Sequence, residues 1–482
     1  MSGMIRPVLL ILAAALASVL SVHAKKKSNV LFIFADDQCF ETIGSLGLTD
    51  IETPNLDRLA ASGTTFTRAY NMGSWSGAVC VASRHMLNTG RFLWHANEAS
   101  KKAEQERAAG RFWSENMKKA GYQTYFTGKW HVRASADKCF NIARNVRPGM
   151  PNQTPAGYNR PLPGKPDPWS PSDPKFEGFW KGGRHWSAIV ADDALDYIAQ
   201  AKKHEKEKPF FAYIAFNAPH DPRQSPKEYV DKYPLDRIAI PKNFLPMYPY
   251  KDKIGCQHGL RDEKLGPMPR TEHSVKVHRQ EYYAIITHMD VQIGRILDAL
   301  EKSGMAKDTY VFFSADHGLA VGHHGLFGKQ NLYEHSTRVP FIVKGPEIPK
   351  GTKVSAPVYL QDVMASSLEI AGVEKPEHVQ FNSVLPLARG ETKESSYNAI
   401  YGAYLSVQRS VTVKDKKLLL YPKVPVARLY DIAADPMEMK DLAKDETNLP
   451  LMRNLFARFL KLQKETGDTL DLKNSFPELA QK

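Results

Sequence analysis

Several polar clusters each close a run of apolar residues, which is where chemistry on a buried sheet would be placed. Asp36 and Asp37 follow Asn29 to Ala35 (NVLFIFA), and Gly128-Lys129-Trp130-His131 follows Tyr122 to Thr127. His220 comes shortly after Pro209 to Phe216, and Asp316-His317-Gly318 follows Thr309 to Ser314. Two further candidates stand apart: Cys80, in Cys80-Val81-Ala82-Ser83-Arg84, and Lys329. Aspartates are hard oxygen ligands for calcium or magnesium, lysine and arginine attract anions, histidine moves protons near neutral pH, and a cysteine can carry a nucleophile. The set suits metal-assisted chemistry on an anionic substrate.

The elements that must position these groups are legible in outline. Each apolar run reads as a buried parallel strand ending in polar residues, and open α/β sheets place ligands at the carboxyl ends of their strands. Helical patterns lie between them, from Thr53 to Gly63 and from Glu281 to Gly304. The alternation predicts an α/β fold with a large, mostly parallel sheet between helices. Arg144 to Gly183 and Pro234 to Thr271 read as long irregular excursions of the kind that line active sites. After Gly372 the pattern changes to strand-like segments between Asn398 and Tyr421 and an amphipathic helix from about Leu449 to Thr466, predicting a smaller C-terminal α/β subdomain. The expected division is a signal peptide at 1–24, a catalytic domain at 25–375 and the subdomain at 376–482.

Residues 1–24 carry Arg6, then an apolar run, then Val22-His23-Ala24 at the cleavage positions, which predicts export to the periplasm or the medium with no membrane span left after cleavage. The formal net charge of +13 favours anionic partners, but the lysines are scattered and no nucleic-acid-binding motif is present, so nucleic acid is not expected. Four cysteines, Cys39, Cys80, Cys139 and Cys256, are too few for a disulfide scaffold; with Cys80 set aside, at most one disulfide can form.

Cys80, Ser83 and Arg84, continued by Leu87, Thr89, Gly90 and Arg91, match the pattern Cys-x-Pro-Ser-Arg followed by Leu-x-Thr-Gly-Arg, with Ala82 in place of the usual proline. On these residues the chain resembles the type I sulfatases of the alkaline phosphatase superfamily. The resemblance runs from Asn29 to about Leu442 and includes Asp36-Asp37-Gln38, TPNLDRLAASGTTFTRAY from Thr53, Pro219-His220 and LYDIAADPMEMKDLA from Leu429. It implies an alkaline-phosphatase-like fold and a Cys80 oxidised by a formylglycine-generating maturase to an aldehyde that hydrates to a diol. It implies one divalent cation, calcium or alternatively magnesium, held by Asp36, Asp37, Asp316, His317 and the modified Cys80. His317 stands where many members have asparagine, as in iduronate-sulfatase-like members. The resemblance further implies that Arg84 holds the diol and that Lys129 and Lys329 contact the sulfate. It makes His220 the acid for the leaving alcohol and His131 the base for the remaining hydroxyl proton.

Aromatic and basic residues at Trp180, Arg184, His185 and Trp186, and at His323 and His324 near Lys329, suit a sugar ring bearing sulfate or carboxylate. Arg184, His185, Trp186 and His324 are therefore the substrate candidates, and a sulfated polysaccharide or glycosaminoglycan-like carbohydrate is the expected substrate. Two other readings stand beside this one: a phosphodiester or phosphonate monoester hydrolase of the same superfamily, and a non-catalytic binder of sulfated glycans whose Cys80 stays a thiol. Against the first, lysines occupy positions where a second metal would need support.

Overall fold

The computed structural model describes residues 27–150 and 153–481, so the leader expected at 1–24 lies outside the described residues. An apolar run without polar alternation satisfies both of its faces only inside a covered sheet. β1 (Asn29–Ala35) is such a strand: all seven residues are buried, and it runs parallel to β6 (Phe210–Ala215) on one side and β7 (Thr309–Ala315) on the other. The short helix Trp113–Lys119 sets its indole against Phe32 and Phe211, with ring centroids 5.3 and 4.7 Å apart. Truncating a buried ring such as Phe32 to Ala costs ~3–5 kcal/mol.

Among the described residues nine strands form the main sheet. Its order is β10 (Val358–Tyr359), β2 (Thr64–Tyr70), β8 (Arg338–Lys344), β7, β1, β6, β4 (Gln123–Lys129) and β5 (Ile142–Arg147), with β9 (Thr352–Val354) beside β2. Only β8 runs against its neighbours, pairing antiparallel with β7 and β2. The carboxyl ends of β1, β4, β6 and β7 therefore share one edge, and every polar cluster of the sequence except Cys80 and Lys329 leaves the sheet there.

Two boundaries differ from expectation. The excursion expected from Arg144 begins inside β5, a half-exposed edge strand whose polar sequence IARNVR carries no apolar run to announce it. The long helix spans Glu272–Lys302 rather than starting at Glu281; its first turns are polar, and the signal for its start is Thr271, whose hydroxyl accepts the Ser274 N–H at 3.1 Å.

The second sheet is built from β11 (Ile400–Tyr404), β12 (Gln408–Val413), β13 (Lys416–Tyr421) and β14 (Val426–Asp431), an antiparallel meander covered by the helix Leu449–Thr466. It also takes in β3 (Gly73–Ser74), which pairs parallel with β11 and comes from the amino-terminal half. At Gly73 φ is +97° and a Cβ would stand 1.9 Å from the Ala403 carbonyl oxygen, so only glycine permits this close approach. The pairing ties the second sheet to the segment that leads directly to Cys80. All four cysteines are buried as free thiols, with no disulfide among the described residues. No helix of the described residues is long and apolar enough to cross a membrane.

Candidate active site

Cys80 lies in the first turn of the helix Val79–Thr89 and is 2% exposed. The free N–H groups and positive end of that helix favour negative charge at this position. Gly90, at φ +68°, ends the helix by donating its N–H to the Met86 carbonyl at 2.8 Å. Burial opposes a thiolate at Cys80, but Lys129, Lys329 and His317 hold the thiol well below its ordinary value.

β1 delivers Asp36 and Asp37, and Asp37 takes a left-handed backbone at φ +67°, an uncommon state for a residue with a side chain. Tyr282 holds this turn, donating to the Asp37 carbonyl at 2.6 Å and accepting from Cys39 N–H at 2.9 Å. β7 delivers Asp316 and His317. His317 donates from Nδ1 to the Gly318 carbonyl at 2.9 Å, leaving Nε2 turned to Asp37 Oδ1 at 3.0 Å, Asp316 Oδ1 at 3.5 Å and Cys80 Sγ at 3.4 Å. That tautomer is the one a metal ligand needs.

Donor atoms of Asp36, Asp37, Cys80 and His317 all lie within 4.8 Å of one another, and Asp36 Oδ1 is buried with no hydrogen-bond partner. Hard oxygen donors crowded in this way fit a divalent cation. Asp316 is at the margin of the group: Oδ2 accepts from Arg84 Nε at 3.1 Å and Oδ1 from Asp37 N–H at 3.0 Å. Burial and the neighbouring Asp36 push Asp316 up to about 8, the expected response of carboxylates sharing one site.

Each acid meets a cation from another element. Lys129, at the end of β4, bonds Asp36 Oδ2, and Lys329 reaches Asp37 Oδ2 at 2.7 Å. Burial opposes both ammonium charges, but Asp36 and Cys80 keep Lys129 raised, and Asp262 and Asp37 keep Lys329 well above its ordinary value. Arg84 is fully buried and donates to Asp316 and, at 2.6 Å, to the Lys129 carbonyl, with Nη2 3.6 Å from Asp36 Oδ1. Its bonds thus run to the acid cluster rather than to Cys80 Sγ. His220 Nε2 lies 2.9 Å from Lys329 Nζ, within hydrogen-bonding distance. Burial and the Lys329 ammonium oppose charge on the imidazole, but Asp37 and Asp221 raise His220 to about 10. His131 is half-buried at φ +53°, with Nδ1 unpartnered.

Cys80, Lys129, His131, His220 and Lys329 line one cleft of about 610 Å³, closed on its far side by Pro148, Gly149, Met150, Leu260, Arg261 and Asp262. Both irregular stretches of the chain therefore reach it. The four substrate candidates are not brought there. Arg184 is exposed and paired with Asp192 at 2.6 Å. His185 caps the helix Trp186–Lys203, its Nδ1 accepting Ser187 N–H and its Nε2 donating to the Gln224 carbonyl. Trp186 lies under the Arg147 guanidinium at 4.0 Å, and His324 stacks on Tyr333 with centroids 4.0 Å apart. Aromatic and basic neighbours in sequence here serve a helix cap and a core stack. Conversely, Arg261 and Asp262 line the cleft and Asp221 lies 2.8 Å from His220 Nδ1; motif resemblance does not reach them, although an acid beside the candidate His220 is a readable signal.

Residues 28–373 match the family model described as Sulfatase, and residues 322–465 match one described as N-sulphoglucosamine sulphohydrolase, C-terminal. A sulfatase of Formosa agariphila is 29% identical over 440 residues, covering 86% of this chain and 82% of that protein. The N-acetylglucosamine-6-O-sulfatase of Bacteroides thetaiotaomicron is 25% identical over 517 residues, covering 92% and 87%. A solved structure described as a complex with its substrate D-glucosamine-2-N,6-O-disulfate has a TM-score of 0.71 at 23% identity, covering 92% of this chain and 99% of that one. The phosphonate monoester hydrolase of Agrobacterium radiobacter has a TM-score of 0.70 at 19% identity, covering 91% and 96%. At such identities the structural likeness is one of fold, and it agrees with the alkaline-phosphatase-like sheet described above. The family match, by contrast, spans most of the sequence and takes in every residue of the cleft, and on that ground the chain belongs to the sulfatase family, the hydrolases of sulfuric esters.

Proposed function

We propose that the protein removes sulfate from a sulfated carbohydrate, with Cys80 converted to formylglycine by a dedicated maturase and one divalent cation, calcium or magnesium, held by Asp36, Asp37, Asp316 and His317. The observation that carries the reading is the meeting of Cys80 with Asp36, Asp37 and His317, their donor atoms within 4.8 Å of one another, with a buried lysine paired to each of the two aspartates. Bound there, the cation supplies positive charge that draws in a sulfate oxygen and stabilises charge in the transition state. As a hydrated formylglycine, position 80 supplies two oxygens, one to take the sulfuryl group and one to expel it.

The chain's own side chains do the rest. Lys129 and Lys329 hold positive charge on either side of Cys80, where an anionic sulfuryl group is stabilised in a site largely shut off from water. His220, raised and in contact with Lys329, delivers a proton to the departing alcohol oxygen. His131, on the opposite lip, accepts the remaining proton of position 80. Arg84, bonded to Asp316 and to the Lys129 carbonyl, fixes the acid cluster and one lysine relative to the nucleophile helix.

The carbohydrate substrate is supported by relatives named an N-acetylglucosamine-6-O-sulfatase and, in Formosa agariphila at 26% identity, an ulvan-active sulfatase, and by a cleft volume within the range that holds a small ligand. Export, expected from the leader-like residues 1–24, belongs to the same reading. The likeness to a phosphonate monoester hydrolase keeps phosphoester hydrolysis as the second reading. A two-metal phosphatase would seat its second ion among Asp37, His220 and Asp221, but the Lys329 ammonium already lies between Asp37 and His220, which favours one cation and a sulfate monoester.

The test is the mass of the peptide carrying Cys80, after expression with a maturase, together with sulfate release from sulfated saccharides. Conversion lowers the peptide mass by about 18 Da, and Cys80→Ala abolishes release. An unmodified thiol with no release, while a control sulfatase matures in the same cells, would replace the enzyme with a glycan-binding protein.

A further inference from the structure

Asp221 is fully buried beside His220 and has no place in the chemistry above. Its Oδ1 lies 2.8 Å from His220 Nδ1, and its own backbone carbonyl oxygen lies 2.8 Å from the same nitrogen. Two acceptors on one ring nitrogen commit Nδ1 as a donor, which points Nε2 at Lys329 and the cleft. The other oxygen, Oδ2, is held by Arg261 through Nε at 3.0 Å and Nη2 at 2.9 Å. The guanidinium thus fixes the carboxylate, and the carboxylate fixes the imidazole. Burial opposes ionisation of Asp221, but Arg261 and His220 hold it well below the carboxylate range, so it remains an acceptor. Arg261 comes from the irregular stretch between Pro234 and Thr271 and lines the cleft with Cys80.

We propose that Asp221 is the positioning residue for the leaving-group acid, and that this clamp fits the site to sulfates of aliphatic alcohols, the ester class of sugars, rather than to phenolic sulfates. The argument is chemical. When the C–O oxygen departs from sulfur as a phenolate, the ring stabilises the negative charge and little proton transfer is needed. When it departs as an alkoxide, the S–O bond breaks at a useful rate only if a proton reaches that oxygen as the bond lengthens. A side chain that does nothing but hold the donor nitrogen in line therefore matters only for the second class. The proposal rests on the reading of His220 as that acid.

The experiment compares kcat/KM of the matured wild type with Asp221→Asn and Asp221→Ala on 4-nitrophenyl sulfate and on a glucosamine 6-sulfate, with melting curves to show that each variant is folded. The expected result is a loss of about 10²-fold or more on the sugar sulfate, carried by kcat, with less than about tenfold lost on the aryl sulfate. Asp221→Glu, which keeps a charged side-chain acceptor for Nδ1 where Asn and Ala leave only a neutral side chain and the backbone carbonyl, restores part of the sugar-sulfate rate. Equal losses on both substrates, or no loss on either in a folded variant, would overturn the proposal. If His220→Ala leaves sugar-sulfate hydrolysis intact, or the wild type hydrolyses neither substrate, the parent reading fails and takes this one with it. A clamp that fails alone leaves wild-type and His220→Ala behaviour as expected.

Discussion

Lys417→Met is the change that most directly tests how the second sheet is held to the catalytic body. Lys417, on β13, lies 3.1 Å from Glu334 Oε1 and 2.9 Å from Glu438 Oε1, with the three side chains 2%, 3% and 2% exposed. Glu334 begins the turn that follows the site loop, accepts from Tyr70 Oη at 3.0 Å, and donates its N–H to Glu438 Oε2 at 2.7 Å. Burial of this depth leaves little solvent to screen the charges, and removing one partner of a buried ion pair costs ~3–5 kcal/mol. The structure orders that range by pH. Burial, with Glu334 adding to it, raises Glu438 to about 7, so near pH 6 Glu438 is mostly neutral and the variant strands only the Glu334 carboxylate, which keeps Tyr70. The expected loss there is ~3 kcal/mol. At pH 8 the variant must either ionise Glu438 with no cation beside it or hold its proton against the solvent, and the loss moves towards ~5 kcal/mol. The sign follows from linkage: without Lys417 both folded-state values lie above the unfolded ones, so stability falls as pH rises through them. Urea unfolding at the two pH values, followed by tryptophan fluorescence and far-UV circular dichroism, reads the difference, and coincidence of the two probes shows whether the transition is two-state. A loss under about 1 kcal/mol, within the reach of ordinary substitutions, or a larger deficit at pH 6 than at pH 8, would refute the reasoning. Lys417→Met with Glu438→Gln should recover part of the loss.

Chelation should abolish sulfate release and lower the melting temperature, because an ion at 100 times its Kd adds ~2.7 kcal/mol to folding; the shift should vanish in Asp36→Asn, and an equal shift in that variant would remove Asp36 from the ligand set. Against burial, His323 at 3.1 Å and Arg279 at 3.1 Å hold Glu41 at about 2, a depressed value whose stabilisation is present above the unfolded-state value of a glutamate and lost as pH falls through 2. Glu41→Gln should therefore flatten the acid limb of the stability curve, and an unchanged limb would mean that Glu41 does not contribute to it. At Gly128 φ is +95° and a Cβ would stand 1.9 Å from the Ala215 carbonyl oxygen, so Gly128→Ala must pry β4 from β6 immediately before Lys129. The expected outcome is a lower melting temperature and a loss of at least about tenfold in kcat; an unchanged kcat would show that the placement of Lys129 tolerates the shift.

What could be read from sequence and what could not follow from how far apart the determining contacts are. β1 and β7 announce themselves because a strand buried on both faces is apolar throughout, and their polar ends mark the site edge. β3 could not be read: it is two residues long, and its reason for existing is the carbonyl of Ala403, far along the chain. β5 was hidden because an edge strand with one covered side carries no continuous apolar run. The acid and lysine positions were carried by motif resemblance, whereas their pairing, Lys129 with Asp36 and Lys329 with Asp37, is a property of three-dimensional approach alone. His185 misled for a local reason, since a histidine capping a helix beside aromatic residues has the same composition as a sugar-binding patch.

The pattern of pairing also governs how any variant of the cleft must be interpreted. Asp36 meets Lys129, Asp37 meets Lys329, Asp316 meets Arg84 and Asp221 meets Arg261, and in each pair the acid and the cation come from different parts of the chain. Buried charges are tolerated only when paired, so deleting one member imposes the cost of stranding the other. A single Lys129→Ala therefore loses a substrate contact and leaves Asp36 uncompensated, and its lost activity alone cannot be assigned to either cause. Asp36→Asn combined with Lys129→Met removes both charges. If stability returns in the double variant while sulfate release does not, the pair serves the reaction as well as the fold; if both return, its contribution was to folding.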